Sequence, residues 1–370
     1  MSTLLALAAL GLALQPEAPA AGTPPKLPEF IVHAIGETEP VEDAGDAADD
    51  PAIWVHPTDG ARSMVLGTNK KSGLGVYALT GQEIQFLPVG RVNNVDLAQD
   101  EHGTLVLAGQ RDTRELVLWK IDTTSRRLKP FLDSSPPGGV AWPRASNEVS
   151  VVEVGVDEPY GVCCARIGNY TTVLVNDKNG WLEEWKVNSI GAALIGRAPV
   201  RTLKFDSQTE GMVIDAHHQW AFVGEEAVGI WKISLDPTST AKELIAAVSS
   251  AATSGHLFAD VEGLTIADTG NGNGYLICSN QGDNSFTVHD RKPPHAAIAR
   301  FRIAGSGDID GVTETDGIDA TTANLGGAFA KGLFVAQDGE NTTPEGTIEG
   351  QNFKFIPWSE IQAGIDAAKR

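Results

Sequence analysis

Six polar residues head short apolar runs along this chain: Asp50, Asp96, Tyr160, Glu210, Glu262 and Asp316. They stand 46, 64, 50, 52 and 54 residues apart, and all but Tyr160 are acidic. Further charges trail the neighbouring runs: Lys70, Lys71, Arg111, Lys178, Glu225, Glu226 and Asp338. If the fold gathers the leaders at one mouth, their carboxylates repel one another unless some are neutral or a cation sits among them. Oxygen ligands without Cys or His spacing suit Ca²⁺ better than Zn²⁺. Cationic side chains beside such a centre suit a ligand with several negative charges. Bound Ca²⁺ would invert the local field and bridge phosphate oxygens. The predicted chemistry is metal-assisted hydrolysis of a phosphate ester, with a metal-activated water attacking phosphorus and cations stabilising the transition state. The competing reading is a solvated rim that keeps the elements apart. Recurrence of acids in register, with Lys and Arg interleaved, favours the site.

Other constellations carry less. No GxSxG or Ser-His-Asp elbow is present, which argues against a covalent route. His56, His217, His218 and His256 share no spacing and read as turn or surface residues. The stretch Asp308–Asp319 lacks the EF-hand glycine at its sixth position.

The elements needed to position these residues are repeated strands. Each leader opens a run such as Asp50-Pro51-Ala52-Ile53-Trp54-Val55 or Glu262-Gly263-Leu264-Thr265-Ile266. A second apolar run follows and ends in the trailing polar cluster; a third carries an aromatic, as at Tyr77, Trp119, Trp185 and Trp231. Six such copies at about 50-residue intervals predict an all-β, six-bladed propeller rather than a sandwich. An antiparallel second strand returns its trailing cluster to the mouth where the leaders stand. Phe30–Ile35 is expected to close the ring as the outer strand of the last blade. Ser359 and Gln362 read as the capping box of a short C-terminal helix with Ile361, Ile365 and Ala368 on one face.

Composition bounds the alternatives. Of 370 residues, 42% are hydrophobic and 21% charged, which supports a large core. Gly (40) and Pro (20) favour many turns. Lys plus Arg number 28 against 48 Asp plus Glu, a net charge of −20, which argues against nucleic acid or an anionic membrane as partner. The three cysteines, Cys163, Cys164 and Cys278, are expected as buried free thiols. The apolar run Leu4–Leu14 and the small residues Ala18–Ala21 read as a signal peptide over 1–21, too short to span a bilayer. A linker over 22–29 and one domain over 30–370 follow, in an exported protein, periplasmic or secreted.

Several longer motifs resemble the calcium-dependent β-propeller phytases of the Bacillus type. They are Asp46-Ala47-Ala48-Asp49-Asp50-Pro51-Ala52-Ile53-Trp54, Thr68-Asn69-Lys70-Lys71-Ser72-Gly73-Leu74 and Asn93-Asn94-Val95-Asp96. Ser207–Met212, Asp260–Thr265, Asp316–Asp319 and Phe334–Asn341 continue the match, in order, over about residues 30–360. The resemblance implies a six-bladed enzyme that uses several Ca²⁺ ions and hydrolyses phytate (myo-inositol hexakisphosphate), taken as its calcium complex. It implies two adjacent phosphate sites, one for cleavage and one for affinity, in a monomer. By motif, Asp50, Glu210, Glu225 or Glu226, Asp260, Glu262 and Asp316 would hold calcium, with Asp96 at another acidic position. Lys70 or Lys71, Arg111 and Lys178 would hold phosphates, Tyr160 would lie near the calcium centre, and Glu210 and Glu225 would share in catalysis. Gln337, Asp338 and Asn341 resemble a structural calcium loop. The chain departs from the family at Asn179, where Glu is common, and in the shorter segment QRDTRE, where Arg111 and Arg114 compete for one role. Two other readings stay open: a propeller that binds calcium or phosphorylated ligands without turnover, and a calcium-dependent lactonase, whose metal is usually held with Asn ligands.

Overall fold

The computed structural model describes residues 26–100, 103–131, 144–145, 150–188, 193–195, 198–249 and 256–370. The segment expected as a signal peptide, 1–21, lies outside the described residues. Six antiparallel sheets follow one another along the chain, each led by an inner strand. The inner strands are Ala48–Trp54, Val92–Asp100, Val162–Ile167, Thr209–Asp215, Val261–Gly270 and Ile318–Thr321, in blades one to six. Each pairs with a second strand that returns to the mouth of the ring, as the trailing clusters required.

The core is divided into six apolar clusters, each shared by two neighbouring blades. Trp54 and Trp119 join blades one and two, and Phe286 and Phe334 join blades five and six. Strand alternation sends side chains to both faces, so each sheet feeds two clusters. Cys163 and Cys164 illustrate this: the first packs between blades three and four, the second between two and three. All three cysteines are buried and free, as expected.

Ring closure differs from the sequence expectation. Glu29–His33 pairs in parallel with Ala297–Ala304 at the edge of blade five, not with blade six. Gly36–Glu37 pairs with Asn352–Pro357 and supplies the fourth strand of blade six. The first and last portions of the described chain therefore share one sheet. The C-terminal helix runs Trp358–Ala368 and buries Ile361 and Ile365 against blades five and six. Pro357, not Ser359, stands at its start, and no side chain caps it. Gln362 instead donates to the Tyr275 hydroxyl and to Asp366.

Candidate active site

Local irregularities in the inner strands build the site. Four inner strands slip register at the same place: between Ala48 and Pro51, Val92 and Val95, Thr209 and Met212, and Val261 and Leu264. A bulge adds a residue and re-aims its neighbours. Each bulge carries a consecutive pair: Asp49-Asp50, Asn93-Asn94, Glu210-Gly211 or Glu262-Gly263. Tyr160-Gly161 and Asp316-Gly317 hold the matching places just before the inner strands of blades three and six. The second residue of the pair packs under the next leader. A Cβ at Gly161 or Gly211 would collide with the main-chain oxygen of Glu210 or Glu262, and one at Gly317 with Asp50. Main-chain bonds stitch the ring, among them Gly263 N–H to Asp316 O at 2.7 Å and Gly317 N–H to Asp49 O at 3.0 Å.

The ring is thus Asp49, Asn93, Tyr160, Glu210, Glu262 and Asp316. Four of the six expected leaders hold, and two shift. Asp49 replaces Asp50 and Asn93 replaces Asp96, because the bulge turns the earlier residue to the mouth. Asp50 and Asp96 lie deeper in the channel and brace the blades. Asp50 Oδ2 accepts from Val95 N–H at 3.1 Å, and Asp96 Oδ2 from Cys164 N–H at 2.7 Å. Asp319 does the same for blade one, accepting from Ile53 N–H at 2.7 Å. These carboxylates link successive inner strands.

Above the channel opens a cavity of about 680 Å³, lined by Tyr160, Glu210, Glu226, Asp260, Glu262 and Asp316 together with Asp46, Lys70, Gln208 and Gln281. Carboxylate oxygens of Glu210, Glu226 and Glu262 lie within 4.8 Å of one another. Glu226 Oε1 and Glu262 Oε2 are buried without a hydrogen-bond partner. Burial pushes both Glu210 and Glu262 well above the usual carboxylate range; repulsion from Glu262 adds to the rise of Glu210, and repulsion from Glu226 to that of Glu262. Burial raises Glu226 to about 7, with Asp260 adding to the rise. Asp316 is also raised to about 7, by burial and then by Asp49. Close, buried, oxygen-only donors with orphaned lone pairs fit a hard divalent cation such as Ca²⁺.

Glu226 rather than Glu225 faces this cup. Adjacent strand residues point opposite ways. Glu225 Oε1 accepts from Ser207 N–H and Oγ–H, and its Oε2 from Trp231 Nε1–H at 2.8 Å. It is a buried brace of blade four.

The cations also separate. Lys70 Nζ stands 2.6 Å from Asp46, 3.1 Å from Asp49 and 2.9 Å from Asp316. Burial works against its charge, but Asp49 and Asp316 outweigh burial and raise it above its ordinary value. Lys71 turns outward and donates to Ala44 O. Arg111 is enclosed: Nε and Nη2 each lie 2.6 Å from Glu158 Oε1, and Nη1 is 3.2 Å from Asn93 Oδ1. Arg114 is exposed and pairs with Asp157 at 3.2 Å. The Tyr160 ring lies under Lys178 Nζ at 4.3 Å and the Arg111 guanidinium at 5.2 Å. One aromatic ring therefore contacts both cations.

Gln337, Asp338 and Asn341 do not enclose an open oxygen cage. Gln337 Oε1 accepts from Asp316 N–H at 2.8 Å, behind the cup. The wholly buried Lys354 ammonium lies 3.4 Å from Asp338 and 3.0 Å from Asn341, and also meets Glu37 and Asp310. The Lys354 ammonium thus stands among three carboxylates, Glu37, Asp310 and Asp338.

Asp46, Asp49, Asn93 and Glu158 were not among the expected site residues. Asp46, Asp49 and Asn93 lie inside motifs already singled out, but a run of consecutive polar residues conceals which one a bulge exposes. Glu158 had no motif.

Comparison with known proteins agrees with this geometry. The phytase family model matches residues 2–369. A 3-phytase of Bacillus subtilis (strain 168) is 36% identical over 342 residues, covering 90% of this chain and 85% of the relative. A six-bladed ring, an acidic cup and a match over nearly the whole length place this chain in the phytase family.

Proposed function

We propose that this protein is a phytase that hydrolyses phosphate monoesters of myo-inositol hexakisphosphate and releases inorganic phosphate, with calcium in the cup. The observation that carries the reading is the meeting of Glu210, Glu226 and Glu262 carboxylates within 4.8 Å, in a cavity that Lys70 also lines. Asp49, Asp260 and Asp316 border the same cup and would share the cations. When bound, calcium supplies positive charge against phosphate oxygens and acidifies water.

The chain's own residues do the rest. Lys178 and Arg111, fixed on the Tyr160 face, bind and orient a phosphate group. Lys70, which lines the same cavity, adds a third positive charge. The carboxylates keep the substrate's phosphates away unless neutralised, so the proposed substrate is the calcium complex of phytate. Glu226 and Asp316, each raised to about 7 without a metal, would give up their protons as a cation binds.

The test is phosphate release from phytate with calcium and with a chelator. The reading expects release that depends on calcium. Release that survives the chelator removes the calcium part, and no release under either condition removes the whole. The lactonase reading has less support, since Asn93 is the lone Asn in the ring and the three cations would have no task.

A further inference from the structure

Asn93 is the neutral member of an otherwise acidic or phenolic ring, and it is fully buried. Its Nδ2 lies 2.7 Å from Glu210 Oε1, 3.2 Å from Asp49 Oδ1 and 3.0 Å from Asn94 Oδ1. Its Oδ1 accepts from Arg111 Nη1–H at 3.2 Å. The amide orientation is forced. Rotating it would set an oxygen against two carboxylates and an NH₂ against a guanidinium.

We propose that Asn93 is a positioning residue that holds the phosphate-binding Arg111 at a set place relative to the cation-binding carboxylates. It resolves an electrostatic conflict. Arg111 left to itself would be drawn onto Asp49 or Glu210, covering the oxygens that calcium needs. The Asn93 amide stands between them, donating to the acids and accepting from the base. Glu158 holds the guanidinium from the other side through Nε and Nη2. Arg111 has five N–H donors. Glu158 takes two and Asn93 one, which leaves two for an anionic oxygen pair. Asp at position 93 would accept from Arg111 but repel Glu210 and Asp49. Leu would fill space and satisfy neither side.

The inference rests on the phosphate-binding reading of this site, and a double-mutant cycle tests it. The variants are Asn93→Ala, Arg111→Ala and the pair, all loaded with calcium. The readouts are the Kd for inorganic phosphate by calorimetry, and kcat and KM on phytate. If Asn93 acts through Arg111, Asn93→Ala weakens phosphate binding about tenfold or more with Arg111 present, and less than about threefold with Arg111→Ala. A merely structural role gives the same loss in both backgrounds, and that result, or no loss in either, overturns the proposal. Asn93→Asp, nearly isosteric, replaces Asn93→Ala in the same cycle if the alanine variant does not fold. Phosphate binding without phytate turnover would defeat the hydrolase reading while the cycle still decides the role of Asn93.

Discussion

Lys178 Nζ stands 4.3 Å above the centre of the Tyr160 ring, and Arg111 approaches the same ring at 5.2 Å. Two like charges meet one aromatic ring there, with Arg111 also paired to the Glu158 carboxylate. The ring, not the hydroxyl, makes these contacts. Tyr160→Phe is therefore expected to leave the phytate KM within about threefold, and Tyr160→Ala to raise it about tenfold. Steady-state kinetics in calcium decide this, and equal effects of the two substitutions would defeat it.

Lys178 is expected to serve substrate rather than fold. Lys178→Glu should raise the phytate KM by about tenfold or more, with the melting temperature nearly unchanged, because an exposed charge contributes little to stability. An unchanged KM would remove its phosphate role.

The neighbours Glu225 and Glu226 should behave differently. Glu226→Gln removes a charge from the cup and is expected to weaken calcium binding about tenfold or more, read by calorimetry. Glu225→Gln leaves donors of Ser207 and Trp231 poorly matched in a buried place. It is expected to cost about 1–3 kcal/mol of stability with calcium affinity close to normal. The reverse assignment of effects would show that Glu225 faces the cation.

Calcium should stabilise the fold, since the carboxylates meet only in the closed ring. A site at a free concentration one hundred times its Kd contributes about 2.7 kcal/mol. Thermal melting with and without chelator measures the shift. Superimposable curves would argue against a folded-state cation site.

Without metal, stability should fall as pH rises from about 4 to about 7. Burial raises Asp96 from 3.8 to about 7 and Asp319 from 3.8 to about 6. In that window the unfolded chain has released protons that the folded chain still holds. Fewer protons on the unfolded state mean that stability declines with pH. The contribution is fully present below 3.8 and lost as pH passes the folded values. Melting of metal-stripped protein at pH 5 and pH 7 tests the sign; a higher melting temperature at pH 7 would contradict it.

The blades were readable because strand alternation, turn residues and a fixed interval act together over long stretches. The cup was readable only to within a residue or two. Asp49 and Asp50 are both polar, both buried and adjacent, and the choice between them depends on a bulge whose register involves the second strand. Asn93 against Asp96 is the same problem with a longer slip. Glu225 and Glu226 are chemically alike, so only the partners Ser207 and Trp231 separate them. Lys354 is a buried charge partnered by Glu37, which is distant in sequence and joins its sheet. The place of Phe30–Ile35 is not legible in the sequence, because parallel addition to a neighbouring blade leaves no local pattern.

Blade six takes three strands from the end of the described chain and its fourth from near the beginning. Asp316 of that blade touches Asp49 of blade one across the seam, through Gly317 N–H to Asp49 O at 3.0 Å and through the shared Lys70 ammonium. The segment 38–47 carries the chain from that fourth strand into blade one, so the circle is closed without a peptide bond inside blade six, where Gly36–Glu37 pairs with Asn352–Pro357, and a cation seated against both acids would be a second clasp beside that ladder. Loading the cup would then reinforce a closure that the strand ladder already makes, and a protease would find the circle firmer in calcium-rich surroundings than in calcium-poor ones.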